Sequence, residues 1–386
     1  MAGAIRPDHG ACMLDAGAVE QLIDILRADG YRVIAPQVAD GAIVLGPITD
    51  TGDLPVGMAD DQEPARYRLR PGTPQALFDY AAPAQGWKRF LFPPDETLWL
   101  AVRTDGGFAI KDVPPAIERT ALLGVRPCDL RAIGILDQVF TRAGTLDPRY
   151  QARRAATVII AVECSRAGGT CFCASMGAGP DVRDAADSGA DIVLTEFVAE
   201  GTPLLLARPA SGLGAEMLAR VPSRDATAAD CEAATAAVKS AAKSMGRHML
   251  PDVAALVGRS LDHSHWAEVA ARCLGCGNCT MVCPTCFCST VEDSTDLAGT
   301  TAERRRCWDS CFTLDFSTLH GGPIRSSGAA RYRQWLAHKL AHWWQQFGHS
   351  GCVGCGRCIT WCPAGIDITA EARALEERER QRDADR

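Results

Sequence analysis

"GCVGCGRCITWCP" occupies residues 351–363, with cysteines at 352, 355, 358 and 362 and a proline directly after the last. The same order, C-x2-C-x2-C-x3-C-P, occurs once earlier as "RCLGCGNCTMVCP" over residues 272–284, carrying Cys273, Cys276, Cys279 and Cys283. Three thiolates so spaced wrap one corner region of an iron–sulfide cubane, each meeting a different iron. The fourth cysteine ligates the neighbouring cluster where two are present. The glycines of "GCGNC" and "GCGRC" allow a tight turn that aims backbone N–H groups at sulfur, and such hydrogen bonds make an anionic cluster easier to reduce. Proline after the fourth cysteine fixes the backbone as the chain turns away. The spacing therefore predicts two [4Fe–4S] sites with crossed ligation. One is Cys273, Cys276 and Cys279 with Cys362; the other is Cys352, Cys355 and Cys358 with Cys283. Zinc knuckles would more commonly use two well-separated C-x2-C pairs. Crossed ligation brings two redox centres close enough to pass electrons.

The rest of the composition fits that chemistry. At 386 residues with 47% hydrophobic and 23% charged residues, the chain can bury two cores. Its longest apolar runs, "TVIIAV" and "PLLLA", are strand-sized and far short of a membrane span. The amino terminus lacks the basic-then-apolar layout of a secretory signal, so the expected location is the cytoplasm. A net charge of −7 argues against nucleic acid as a partner. The short basic run "ERRRC" (303–307) reads as a solvated surface or as a docking or cluster-facing patch. A cytoplasmic chain does not keep disulfides, and most of the 18 cysteines crowd into short clusters suited to metal. Cys12 and Cys231 stand alone and read as plain small side chains.

The first half alternates helix and strand. "DAGAVEQLIDILRADG" places Val19, Leu22, Ile23 and Leu26 on one helical face ending at Gly30. "YRVIAP", "GAIVLGPI" and "LWLAVRT" read as strands. "TALLGV" (120–125) and "ATVIIAV" (156–162) read as buried strands leading into "RPCDLRAIGILDQVF", where Asp129 is a candidate helix cap, and into "ECSRAGGTCFCASMG". "DIVLTEFVAEGTPLLLARP" reads as a hairpin. The expected fold is an α/β N-terminal domain over 1–224, then a helical connector over 225–261. A mostly helical ferredoxin-like domain holding two [4Fe–4S] clusters follows over 262–370, and a charged, fraying helical tail over 371–386. The content between Cys283 and Cys352 is expected to be helical, with Tyr332, Leu336, Leu340 and Trp343 or Trp344 forming a core stripe.

Cys128 and Cys164 fall where buried strands give way to loops, the usual ligand-collecting end of an α/β sheet. With Cys171 and Cys173 they make four, and Gly168 and Gly169 let the loop fold around a metal. This set reads as a third [4Fe–4S] site, with zinc or no metal as the alternatives. Cys286, Cys288, Cys307 and Cys311 have three readings: a further cluster, a shield around the twin motifs, or packing. No glycine-rich turn supports ligand geometry there. His263 and His265 read as helix-start residues. His338 and His342, at i and i+4, read as packing or surface residues because no carboxylate motif accompanies them. No G-x-G-x-x-G follows a strand, no C-x-x-C-H occurs, and no P-loop or Ser–His–Asp arrangement is present. The chain conducts electrons without a place for them to start or finish.

The ordered segments "GVRPCDLRAIGILD", "ECSRAGGTCFCASMG", "CLGCGNCTMVCPTCFCSTVED", "RRRCWDSCF", "RYRQWLAHKL" and "GCVGCGRCITWCPAGID" resemble a known family over about residues 85–370. The sequence is similar to the β (iron–sulfur) subunit of soluble NAD(P)-linked nickel–iron hydrogenases, or sulfhydrogenases. It is equally similar to the iron–sulfur subunit of the same family found in anaerobic sulfite reductase. The resemblance implies an electron-transfer subunit between a flavin subunit handling NAD(P)H and a catalytic hydrogenase or sirohaem sulfite reductase subunit. It also implies clusters beyond the twin pair, which supports Cys128, Cys164, Cys171 and Cys173 as ligands. No flavin, nickel or haem is expected in this chain itself.

Overall fold

Uninterrupted apolar runs set the centre of the first half. The computed structural model describes residues 10–142, 144–186 and 188–384. The chain passes through β1 (Cys12–Leu14), β2 (Arg32–Ala39), β3 (Ala42–Pro47), β4 (Met58–Glu63), β5 (Arg66–Pro71), β6 (Asp95–Thr104) and β7 (Gly107–Asp112). It continues with β8 (Thr120–Val125), β9 (Thr157–Glu163), β10 (Ile192–Ala199), β11 (Thr202–Pro209), β12 (Arg224–Asp225), β13 (Ser289–Thr295) and β14 (Thr301–Trp308). Eight strands form one mixed sheet in the order β12-β1-β11-β10-β9-β8-β2-β3. β2, β8, β9 and β10 run parallel at its centre, and the edges are antiparallel. β8 and β9 lack alternation because both faces are covered. Ala121, Leu123, Ile160 and Val162 pack against the helix Ala16–Ala28, while Leu122, Val125, Ile159 and Ala161 pack against the helix Pro127–Phe140. The expected helical face of Val19, Leu22, Ile23 and Leu26 is buried there, and Asp15 caps that helix by accepting from Ala18 N at 2.8 Å. The expected hairpin is β10–β11.

A second sheet, β13-β14-β6-β7, joins distant parts of the chain. Its β13–β14 hairpin falls in the stretch expected to be helical. The sequence "STVEDSTDLAGTTAERRRCW" carries its own turn: Asp296 Oδ1 accepts from Thr300 N at 2.7 Å, and Gly299 sits at φ +64°, where a side chain would be strained. The threonines and valine on either side suit a strand. β14 then pairs with β6 of the first half. The arginines of "ERRRC" are neutralised within the fold. Arg304 binds Asp293 at 2.6 Å, Arg305 binds Asp95, and Arg306 binds Glu96 at 2.8 Å and also Asp147.

After a short antiparallel pair, Thr318–Leu319 with Gly322–Pro323, the stretch becomes helical. Ser327 caps Gly328–Ala337, a π-turn spans His338–His342, and Trp343–Phe347 completes the run. Tyr332, Leu336, Leu340 and Trp343 are buried, whereas Trp344 faces solvent. The π-turn, a form that recurs at functional positions, leaves Lys339 inside the protein.

Two expectations are corrected. Arg126, not Asp129, is the N-cap of Pro127–Phe140, with proline at the first helical position. Asp129 lies in the first turn and is occupied elsewhere. The tail helix Ile368–Ala384 is not merely solvated: Ala372 and Leu375 are buried, and Glu371 binds His265 at 3.1 Å and Arg272 at 2.7 Å. No described helix is long and apolar enough to cross a membrane.

Candidate metal centres

The twin motifs fold alike. In each, a glycine in the left-handed region precedes a one-turn helix: Gly277 at φ +72° before Asn278–Met281, and Gly356 at φ +76° before Arg357–Thr360. In each, the backbone N–H two residues after the first cysteine donates to its sulfur at 3.4 Å, from Gly275 to Cys273 and from Gly354 to Cys352. A third such bond runs from Ile366 N to Cys362 Sγ, also at 3.4 Å.

The structure brings the cysteines together across the motifs. Cys273, Cys276, Cys279 and Cys362 line one cavity, with Cys358 of the other set also at its wall and Phe312, Tyr332, Trp335 and Ile368 closing it. Burial pushes the Cys279 thiol up, and Cys273, Cys362 and Cys276 beside it push it further. Cys283 faces the other motif. Burial holds the Cys352 thiol up at about 12, with Cys355 and Cys283 adding and Lys339 opposing. Cys358 is raised by burial and by Cys352, Cys355 and Cys283.

The N-terminal four also converge. Cys128 opens the helix after β8, and Cys164 follows β9 directly. Cys171 and Cys173 arrive on the returning loop. Burial raises the Cys173 thiol first, then its neighbours Cys171, Cys164 and Cys355; Cys128 is raised likewise, with Cys173 and Cys355 among its neighbours. Cys171 is lifted to about 12 by burial and by Cys164. Gly169 is needed for the loop's approach to β4, since a Cβ there would lie 2.3 Å from Gln62 O.

This third set abuts the second. Phe172 N donates to Gly354 O at 2.9 Å. The Arg357 guanidinium, between Cys355 and Cys358, grips the Asp129 carboxylate beside Cys128 through two bonds of 2.8 and 2.7 Å. Both partners are buried, at 0% and 1% side-chain exposure, and Arg357 Nε also donates to Pro83 O at 2.7 Å. Lys339 adds a second buried cation: its Nζ donates to Thr285 Oγ1 at 2.8 Å and faces Cys283, Cys286 and Cys352. Asp129, Arg357 and Lys339 had no signal in the sequence beyond their nearness to the motifs or to an apolar stripe.

Burial favours the protonated form of Cys128, Cys173, Cys279, Cys352 and Cys358 unless a cation replaces the proton, and iron would supply that charge. Among the described residues, no three His, Cys, Asp or Glu side chains close to the spacing of one metal ion. Ligands 2.3 Å from a single zinc stand about 3.8 Å apart, whereas a cubane spreads its thiolates over four corners. Four thiols in each set match the ligand number of a [4Fe–4S] cluster.

The other candidates fall outside these sets. The Cys286 thiol donates to Cys283, and the Cys311 thiol to Cys288. Cys307 Sγ turns away to Asp95 at 3.8 Å. Cys12 and Cys231 pack in apolar clusters. His265 is buried against the tail helix. Burial, with Lys339 and His342 adding, lowers His338 to about 4, so it packs as a neutral ring.

These features define an iron–sulfur electron-transfer protein, and a family model described as a 4Fe-4S dicluster domain matches residues 272–366. The chain is 35% identical over 253 residues to the sulfhydrogenase 2 subunit beta of Pyrococcus furiosus, covering 64% of this chain and 71% of that one. It belongs to the family of sulfhydrogenase β subunits.

Proposed function

We propose that this chain relays electrons through three [4Fe–4S] clusters, in the cytoplasm, between a flavin subunit handling NAD(P)H and a nickel–iron hydrogenase module. Residues 1–224 would hold one cluster through Cys128, Cys164, Cys171 and Cys173, and 225–261 would connect. Residues 262–370 would hold the other two, through Cys273, Cys276, Cys279 and Cys362 and through Cys352, Cys355, Cys358 and Cys283. Residues 371–386 form the tail. The observation that carries this reading is the order of neighbours: Cys128, Cys171 and Cys173 pack in one buried cluster with Cys355, and Cys358 lines the same cavity as Cys279. Three sets in contact make a line.

A bound cubane supplies one-electron exchange. The chain's own residues set the conditions for it. Phe312, Tyr332 and Trp335 cover one side of the first set, backbone N–H groups donate to its sulfurs, and Lys339 places positive charge by the second. One end of the line reaches the surface at Cys276, beside Leu274 at 70% exposure, where a redox partner could approach.

Anaerobic isolation with bound partners tests the reading. Flavin and nickel in the complex, with bleaching of its visible absorption by NAD(P)H, are the expected results. Sirohaem in place of nickel would assign the chain to a sulfite-reducing complex. Failure of NAD(P)H to reduce an intact, iron-loaded complex would overturn the relay.

A further inference from the structure

Cys286, Cys288 and Cys311 lie outside the three sets. Cys286 is turned to Cys283, so Cys288 and Cys311 remain as a pair. The fold holds them together: Asp309 N donates to Cys288 O at 2.9 Å, tying the segment before Cys311 to the start of β13. The two thiols are neighbours, each the strongest influence on the other. Cys307 cannot join them. It points to Asp95 on one face of β14, while its neighbour Trp308 turns to Phe92 and Lys88.

Two lysines face the pair. Lys88 and Lys339 are 4% and 6% exposed, and among the described residues neither has a carboxylate within ion-pair distance. Lys88 Nζ donates to Cys286 O at 2.8 Å and stands 3.6 Å from the centre of the Trp308 ring. Lys339 Nζ donates to the Thr285 hydroxyl. A buried ammonium is costly without an anion near it; Cys283 and Cys286 face both lysines, and Cys288 stands near them as well. The Cys311 thiol donating to it, with Lys339 and Lys88 adding, brings Cys288 down to about 7 against the opposing effect of burial. Cys311 is raised by the same bond and by burial. A thiol titrating near ambient pH beside a partner thiol is the arrangement that favours disulfide exchange. Both residues are only half-buried.

We propose that Cys288 and Cys311 form a thiol–disulfide exchange site for small disulfides, with Cys288 as nucleophile and Cys311 as resolving thiol. The Cys288 thiolate attacks one sulfur of RSSR, forming a Cys288–SR bond and releasing RS⁻. Cys311 gives its proton to that thiolate and attacks the Cys288 sulfur, and the Cys288–SR bond breaks to release a second RS⁻. RSSR is reduced by two electrons, and the two cysteines are oxidised to one disulfide. The site would place a two-electron couple beside one-electron centres, and it does not depend on how many clusters the chain carries.

The test exposes anaerobically isolated, iron-loaded protein to hydroxyethyl disulfide, followed by alkylation and peptide mass spectrometry, with iron measured in parallel. A Cys288–Cys311 cross-link is expected, with about two mercaptoethanol released per chain and iron unchanged. In Cys311→Ser the mixed disulfide should remain trapped on Cys288. Wild-type protein whose Cys288 and Cys311 are both alkylated and uncross-linked would overturn the proposal. So would a loss of about four irons per chain in Cys288→Ser, which would make that residue a cluster ligand.

Discussion

Arg357 and Asp129 sit between two ligand sets, fully buried and bonded through both oxygens. Removing one partner of such a pair leaves a charge without compensation, at a cost of about 3–5 kcal/mol. Arg357→Met should lower the stability read from denaturation by that amount, and adding Asp129→Asn should recover part of it. Arg357→Lys should rescue poorly, because an ammonium cannot reproduce the two-pronged bond. Lys339 makes a separate, electrical contribution. Its positive charge favours the added electron at the second set, and a unit charge a few ångströms away is worth about 1 kcal/mol or more. Lys339→Met should lower the midpoint potential of that centre by tens of millivolts, read by redox titration with electron paramagnetic resonance; an unchanged potential would deny the lysine this role. Neither role was legible in the sequence. Asp129 read as a candidate helix cap at the start of that helix, and only its long-range partner reveals its role. Arg357, between two cysteines, carried no sequence signal of its own.

The twin motifs differ at the level of the element, although their sequences match. Gly275 and Gly354 hold corresponding places at φ +65° and +68°. A Cβ on Gly275 would meet nothing within 4 Å, whereas one on Gly354 would lie 2.7 Å from the Phe172 and Cys173 backbone. Gly275→Ala should therefore cost only the left-handed strain of about 1–2 kcal/mol and keep its cluster. Gly354→Ala should displace the Cys171–Cys173 loop and reduce iron content. Equal iron retention in the two variants would contradict this packing. Elements with strong periodicity were legible: the buried strands β8 and β9, the hairpin β10–β11 and the capped helix at residues 16–28. The hairpin β13–β14 was hidden because its strands are polar and its partner β6 lies far away in sequence. The tail was misread for the opposite reason, since its charges masked the few apolar residues that dock.

Across the whole molecule, spacing alone marked the twin motifs, because local turns dictate where the thiols of each motif go, and it predicts their crossed pairing. The convergence of Cys128 with Cys164, Cys171 and Cys173 needed strand order as well, and their abutment on Cys355 needed tertiary packing that no local pattern encodes. Whether three ligand sets all hold iron is read by counting it. Protein isolated without oxygen should hold about twelve irons and twelve acid-labile sulfides per chain. About eight of each would remove the N-terminal set from the line, and colourless protein with zinc at these cysteines would contradict the relay altogether.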